Sequence, residues 1–398
     1  MEFNPFSADF FDDPYETYRW MRDEAPAYEN TEFGFWALSR YDDVLAAHRD
    51  WKTFSSEHGL TIDQLTDPDT PVKGTSIIMM DPPAHDQMRK LVSRVFTPRA
   101  VQALEPMIRD TIRGYLTPLE DRADFDLVAE FSAPFPVEVI STMLGVPPAD
   151  RQQIRHWTDE LLHREPGSPG ITQAGMEAAL YQVQYFMDLI AEKRREPRDD
   201  MITRLTTVEL SDEDGADQRL SDGEIAGFVG LLAAAGSETV TKLVGNGVVL
   251  FHRFPDQWQK LLDDPDKGPG AVEEVLRYWA PSQYQGRFSV QDSTWHGRTI
   301  PAGMPVLLIT GAANRDGRAY DNPDAFDIDR PAMLPLGLGH GIHACLGAAL
   351  ARLESRIAFE EIGARWPRYD VDESGLRRVH MSNVAGFSNV PVAVASAA

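Results

Sequence analysis

One cysteine, Cys345, is all that 398 residues contain, so the chain can form no intramolecular disulfide. That scarcity agrees with a reducing compartment and removes disulfides from any account of stability. Basic residues are scarce as well. Against 62 Asp and Glu stand 38 Lys and Arg, a formal net charge of −24. Nucleic-acid binders carry the opposite balance, so no nucleic-acid partner is expected. A run of 18 apolar residues is missing, and Met1 to Asp13 has neither the basic start nor the apolar centre of an export signal. The expectation is a cytoplasmic protein that meets no membrane. Low-complexity linkers and internal repeats are also lacking, so residues 1–398 are expected to form one large unit.

What is present reads mostly as helix. Short strand signals occur near Phe35 to Leu38, Ser289 to Gln291, Val306 to Ile309 and Val390 to Val394, which predicts a mainly α fold with a small β region. The stretches His58 to Lys73 and Arg164 to Gly170 read as loops, and Glu209 to Asp217 as a solvated acidic segment. Ser221 and Glu224 then spell a capping box, from which a helix is expected to run to about Phe254, roughly 45 Å. That helix is apolar or small on almost every side, as expected of one that crosses a core.

Its middle reads Ala235, Gly236, Ser237, Glu238, Thr239. A glycine inside a helix costs about 1 kcal/mol relative to alanine, so something must approach the backbone there. Thr239 can bond a carbonyl one turn back, and Gly236 lacks the side chain that would block a small molecule. Close helix packing would explain the small residues equally well.

Cys345 lies in the run from Leu336 to Glu354, among Gly337, Gly339, Gly341 and Gly347. Strong helix formers follow from about Leu346, placing the thiol at a helix N-terminus that favours thiolate. A lone cysteine is commonly just a small buried hydrophobe. Zinc would need a fourth ligand beside His340, His343 and Cys345, and a nucleophile would need a positioned base.

Charges recur at helical spacing. Glu274 and Arg277 stand at i and i+3 on a helix expected to end at Pro281, and His85 and Arg89 at i and i+4 after Pro82 and Pro83. Most such pairs merely decorate a surface. Arg89, Lys90, Arg94 and Arg99 follow one another with no acid between, and Arg352 and Arg356 follow the cysteine. If both segments flank one face, they make a basic patch on an acidic protein.

These segments together resemble the cytochrome P-450 family, in the family's order and over essentially the whole chain. The cysteine run is similar to the haem-binding loop Phe-x-x-Gly-x-His-x-Cys-x-Gly followed by Leu-Ala-Arg. Gly339, Cys345, Gly347, Leu350, Ala351 and Arg352 are placed on it, His343 takes the basic position, and Leu336 stands for the aromatic. By that resemblance Cys345 is the thiolate ligand of haem b, a known property of the family rather than a deduction from spacing. The segment Ala235 to Thr239 resembles the oxygen-activation motif, which assigns O2 activation to Thr239, proton delivery to Glu238 and an oxygen groove to Gly236. His85, Arg89, Arg287 and His343 match positions that hold the haem propionates. Glu274 and Arg277 match a Glu-x-x-Arg pair, joined by Arg330, that supports the cysteine loop. Met79, Leu232, Ala235, Gln283, Tyr284 and Phe387 match positions facing the haem as substrate-pocket walls. The resemblance implies a monomeric monooxygenase that hydroxylates or epoxidises a small, largely apolar substrate with O2. Electrons would come from NAD(P)H through a ferredoxin reductase and a ferredoxin docked on Arg94, Arg99, Arg352 and Arg356. A peroxide-driven peroxygenase would replace the acid–alcohol pair, and a non-catalytic haem protein would dispense with it.

Overall fold

Ser221 caps the longest helix as its sequence predicts: its hydroxyl accepts from Glu224 N, and the Glu224 carboxylate accepts from Ser221 N. From that cap the helix Asp222–Arg253 runs 32 residues, about 48 Å. From Val240 to Phe251 it is buried on every side. The computed structural model describes residues 1–66, 76–93, 98–168, 170–211, 217–331 and 334–394. Helices Pro134–Leu144, Arg151–Leu162, Gln173–Arg195, Gly268–Tyr278 and Ala348–Arg365 all pack against the long helix. The main core is built there, around aromatic side chains such as Phe135, Phe228, Phe251 and Phe359.

The β region is small. Strand Phe35–Leu38 is buried at all four positions and lies between Ala27–Asn30, antiparallel, and Met304–Leu308, parallel. Gln285–Ser289 and Phe54–Ser55 complete the sheet. The strand expected at Ser289 to Gln291 therefore lies earlier, because its ladder with Met304–Leu308 ends at Ser289 and Val290 turns out to solvent. Pro391–Val394 forms a separate sheet between Tyr369–Val371 and Asp124–Asp126.

Two expected loops hold structure. Helix Ile62–Thr66 interrupts the stretch from His58, whose remainder from residue 67 to Lys73 lies outside the described residues. The acidic segment begins an antiparallel hairpin of Glu209–Ser211 with Asp217–Arg219. Among the described residues no helix is long and apolar enough to cross a membrane.

Candidate active site

Gly341 shapes the cysteine loop. Its φ is +70°, and a Cβ there would lie 2.2 Å from the His48 carbonyl oxygen, so only glycine fits. Cys345 N donates to Leu338 O at 2.9 Å, turning the loop back on itself. Arg89 Nη2 donates to Ala344 O at 2.7 Å, beside the cysteine, and helix Ala348–Arg365 starts three residues beyond it. Counted back from Cys345, the aromatic place of the haem-loop pattern is Leu338 and its glycine is Gly341, which corrects the assignment to Leu336 and Gly339. Leu338 walls the cysteine's cavity, whereas Leu336 is buried among Trp36, Tyr41 and Tyr320. Gly339 lines the larger cavity next door and Gly347 caps the helix.

The thiol opens on a cavity of about 170 Å3 that Gly236, Thr239 and Leu350 also wall. Burial pushes the Cys345 thiol up from its ordinary value, and the Gly347 amide, Arg89 and Arg352 pull it only partly back. A coordinating metal deprotonates a thiol outright, so ligation is unaffected.

Behind the loop, Arg277 grips Glu274 with Nε–Oε2 and Nη2–Oε1 both at 2.7 Å, and both residues are almost wholly buried. Arg330 Nε joins Glu274 at 3.2 Å. Arg277 also donates to the carbonyls of Asn314, Pro323 and Ala325. Asn314 carries the support onward: its Oδ1 accepts from Leu336 N at 2.8 Å at the start of the cysteine loop. No spacing signal in the sequence points to Asn314.

The expected propionate residues gather beside the same loop. Arg287 is 3% exposed, its guanidinium makes a single hydrogen bond among the described residues, to the neighbouring Gly286 O, and burial brings it down to about 10. The His85 and His343 rings meet at 4.6 Å, and Nε2 of each has no hydrogen-bond partner. His48 joins them, buried beside Gln285, with neither ring nitrogen in an aligned hydrogen bond among the described residues. Burial, reinforced by the Arg287 charge, pushes His343 down to about 2 and His48 to about 3. Leaving a buried donor unpaired costs about 1–3 kcal/mol, so the Arg287 guanidinium calls for an anionic partner, with the histidine rings beside it. The two propionates of a haem over Cys345 fit that demand. His48 went unpredicted because its tie to the site, through Gly341, is spatial.

On the long helix, Thr239 Oγ1 donates to Ala235 O at 2.8 Å. Gly236 lines the cysteine's cavity, and a Cβ there would press on Ile140 Cγ1 at 3.2 Å, so this glycine serves helix packing as well as access. Glu238 is 2% exposed and pairs with Lys242 Nζ at 3.1 Å. Asp159, on helix Arg151–Leu162, lies within hydrogen-bonding reach of Glu238 and is paired with Arg155 at 3.1 Å. Burial and the Glu238 charge push the Asp159 carboxyl up to about 8. Burial also opposes the Glu238 charge, yet Lys242 and the bond from Asp159 hold Glu238 below the usual carboxylate range. The two carboxyls thus titrate as a pair.

A cavity of about 510 Å3 has Glu238 and Thr239 on its wall and shares Ala235, Thr239 and His343 with the cysteine's cavity. Met79 and Ala235 line it, and Leu232 lines the smaller one. Three expected wall residues point elsewhere. Gln283 is a strut, accepting from Tyr18 Oη and donating to Ala280 O. Tyr284 packs beside Phe10 in the N-terminal aromatic cluster, and Phe387 against Trp279 and Arg378. Ser282, Gln285 and the turn at Ser382 take their places on the wall.

The expected basic patch is also corrected. Arg352 pairs with Glu273 and Arg356 with Glu105, acids on flanking helices, and Arg356 also pairs with Glu360 one turn along its own helix. Arg99 and Lys90 are exposed, and Arg94 lies outside the described residues.

A family model described as Cytochrome P450 matches residues 269–362, the span from the Glu274 helix through the cysteine. The chain is 42% identical over 392 residues to a putative cytochrome P450 123 of Mycobacterium tuberculosis, covering 98% of this chain and 96% of that one. It is 39% identical to the vitamin D(3) 25-hydroxylase of Pseudonocardia autotrophica, covering 97% and 95%. Among solved structures, CYP109E1 of Bacillus megaterium in complex with testosterone superposes with a TM-score of 0.87 at 34% identity, covering 97% of this chain and 99% of that one. Proteins of this kind are monooxygenases that carry haem b on a cysteine thiolate, and only Cys345 can supply that thiolate here. With its fold, its cysteine loop and its full-length relatives in agreement, the chain belongs to the cytochrome P450 family.

Proposed function

We propose that this monooxygenase hydroxylates or epoxidises a small, largely apolar organic substrate with O2 and two electrons delivered by a ferredoxin, and that it works as a monomer in the cytoplasm. One observation carries the reading: the acid–alcohol pair Glu238 and Thr239 stands on the wall of a cavity large enough for an organic molecule, next to the chamber of Cys345. When bound, the haem supplies oxygen binding and the oxidising power for insertion into a C–H or C=C bond. Cys345 holds the iron and donates charge to it. Arg287, Arg89 and the histidines His48, His85 and His343 orient the macrocycle by its propionates. Thr239, anchored on Ala235 O, presents its hydroxyl to the chamber, and Glu238 takes a proton from Asp159 and passes it inward. Apolar walls such as Ile78, Leu161, Leu231 and Val384 exclude water from the reacting carbon.

Relatives support an apolar skeleton: one is named for vitamin D(3) and another is solved with testosterone. The test is reconstitution with a ferredoxin, its reductase and NADPH. Substrate-stimulated NADPH consumption matched by oxygenated product is expected. Turnover supported by hydrogen peroxide alone, and indifferent to Thr239→Ala, would instead make the protein a peroxygenase. No NADPH consumption with any donor and substrate would leave it a haem-binding protein.

A further inference from the structure

Buried polar atoms are nearly always hydrogen-bonded, so a cluster of unbonded ones calls for a partner. Three such atoms belong to residues that wall one part of the 510 Å3 cavity. Arg164 is 5% exposed, with Nη2 on Asp63 at 3.0 Å and Nη1 on the carbonyls of Leu161 and His163, yet its Nε has no acceptor. Thr61 Oγ1 and Ser382 Oγ are likewise buried without a bond. Ser382 faces the Tyr284 hydroxyl without an aligned bond to it.

Three distant segments are tied together at this point. Thr61 lies two residues before Asp63, the ion-pair partner of Arg164. Arg164 N donates to His380 O at 2.8 Å, two residues before Ser382. Ser382 itself has φ +30°, a conformation a non-glycine residue keeps only when its surroundings impose it. All three residues line the cavity that Ala235 and Thr239 also wall.

The chemistry of the cluster selects its partner. The guanidinium charge is already balanced by Asp63, so a carboxylate would face that acid and lose its hydration for no new charge pairing. What is left over is one fixed N–H donor and two hydroxyls that can donate or accept. An uncharged oxygen with lone pairs suits that set. We propose that Arg164, Thr61 and Ser382 receive one neutral oxygen of the substrate, a ketone, ester carbonyl or hydroxyl on an otherwise apolar skeleton. The oxygen fixes which end of the molecule stays at this wall, and so which carbon reaches the reacting centre. This rests on the cavity being the substrate site, as the functional reading holds.

The experiment is an equilibrium titration of the haem-loaded protein, read by its spin-state absorption change without electrons. The probes are cyclohexanone, cyclohexanol, cyclohexane and cyclohexanecarboxylate, small enough that shape excludes none of them. Each hydrogen bond gained is worth roughly fivefold in affinity, so the ketone and alcohol should bind on the order of a hundredfold more tightly than the hydrocarbon, and more tightly than the carboxylate. Thr61→Val with Ser382→Ala, which leaves the Arg164–Asp63 ion pair in place, should remove most of that preference and leave cyclohexane binding unchanged. A second variant, Arg164→Leu with Asp63→Leu, removes the donor and its counter-charge together and should lower the preference about fivefold. Equal affinity for all four probes, no binding by any, a preference for the carboxylate, or a preference that survives both variants would each overturn the proposal. The preference stands or falls without a redox partner, so a failure of ferredoxin-driven turnover is a separate result that sinks the functional reading alone.

Discussion

Asp159 and Glu238 shape each other's ionisation: buried beside the Glu238 charge the Asp159 carboxyl is pushed up, while Lys242 and Asp159 hold Glu238 down. The arrangement has a pH signature. Burial and the Glu238 charge push the Asp159 carboxyl up in the folded protein, from 3.8 to about 8. Between those values the folded state holds a proton that the unfolded chain has lost, so this group subtracts stability progressively as pH rises from about 4 to 8, and no further above that. Glu238 is depressed and acts oppositely, adding stability above its ordinary 4.5 that is lost as pH falls. Asp159→Asn should therefore flatten the fall of Tm between pH 6 and 8, and should change the pH dependence of product formation. An unchanged Tm profile would show that Asp159 ionises normally.

Thr239→Ala removes the hydroxyl anchored on Ala235 O without touching Cys345 or the cations around it. Haem content and substrate affinity should stay the same while product per NADPH falls about 100-fold, the scale of a lost proton-transfer group. Full coupling in the variant would remove Thr239 from the reaction.

Breaking the Glu274–Arg277 pair on one side leaves a buried charge without a partner, at a cost of about 3–5 kcal/mol. Glu274→Gln should lower Tm by many degrees and weaken haem retention. Arg277→Lys should fail to rescue, because an ammonium cannot reproduce the two-pronged grip and the three carbonyl bonds. Differential scanning calorimetry with haem titration decides this.

Gly341→Ala places a Cβ in the left-handed region against the His48 carbonyl. The variant should fold its helices, by circular dichroism, and lose haem binding. Retention of a normal haem spectrum would mean that the loop can move away from His48.

Reversing Arg356 would set a third acid beside Glu105 and Glu360, so loss of activity there would report instability. Lys90→Glu and Arg99→Glu are the cleaner probes of partner docking. Each should slow reduction by an acidic ferredoxin several-fold at low salt, with the difference vanishing at high salt. Salt-independent rates identical to the unsubstituted protein would place docking elsewhere.

Local signals carried much of this molecule into view. Ser221 with Glu224 announced the long helix to within a residue of its end, and the 277/274 and 85/89 spacings put side chains where the structure brings them together. Residues whose importance arises from distant segments meeting left no trace in the sequence: Asn314, His48, Asp159 and Arg164 sit in unremarkable local contexts. Pocket walls failed for another reason. Gln283, Tyr284 and Phe387 match pocket positions along the chain, but Gln283 is held by Tyr18 and Ala280, Tyr284 packs beside Phe10 and Phe387 beside Trp279, so Ser282 and Gln285 line the cavity instead. In the cysteine loop the spacing back from Cys345 puts Leu338 and Gly341 at the aromatic and glycine places, and the wall of the sulfur's chamber and the close approach of Gly341 to His48 agree with that count.

The brace from Glu274 through Arg277 and Asn314 to Leu336 is assembled entirely from protein groups. One side of the cofactor's socket is thus made by folding itself, and the entropy of ordering it is lost before any haem arrives. Loading from that side resembles docking into a preformed mould, and reversible loss of the haem need not unravel the chain that held it.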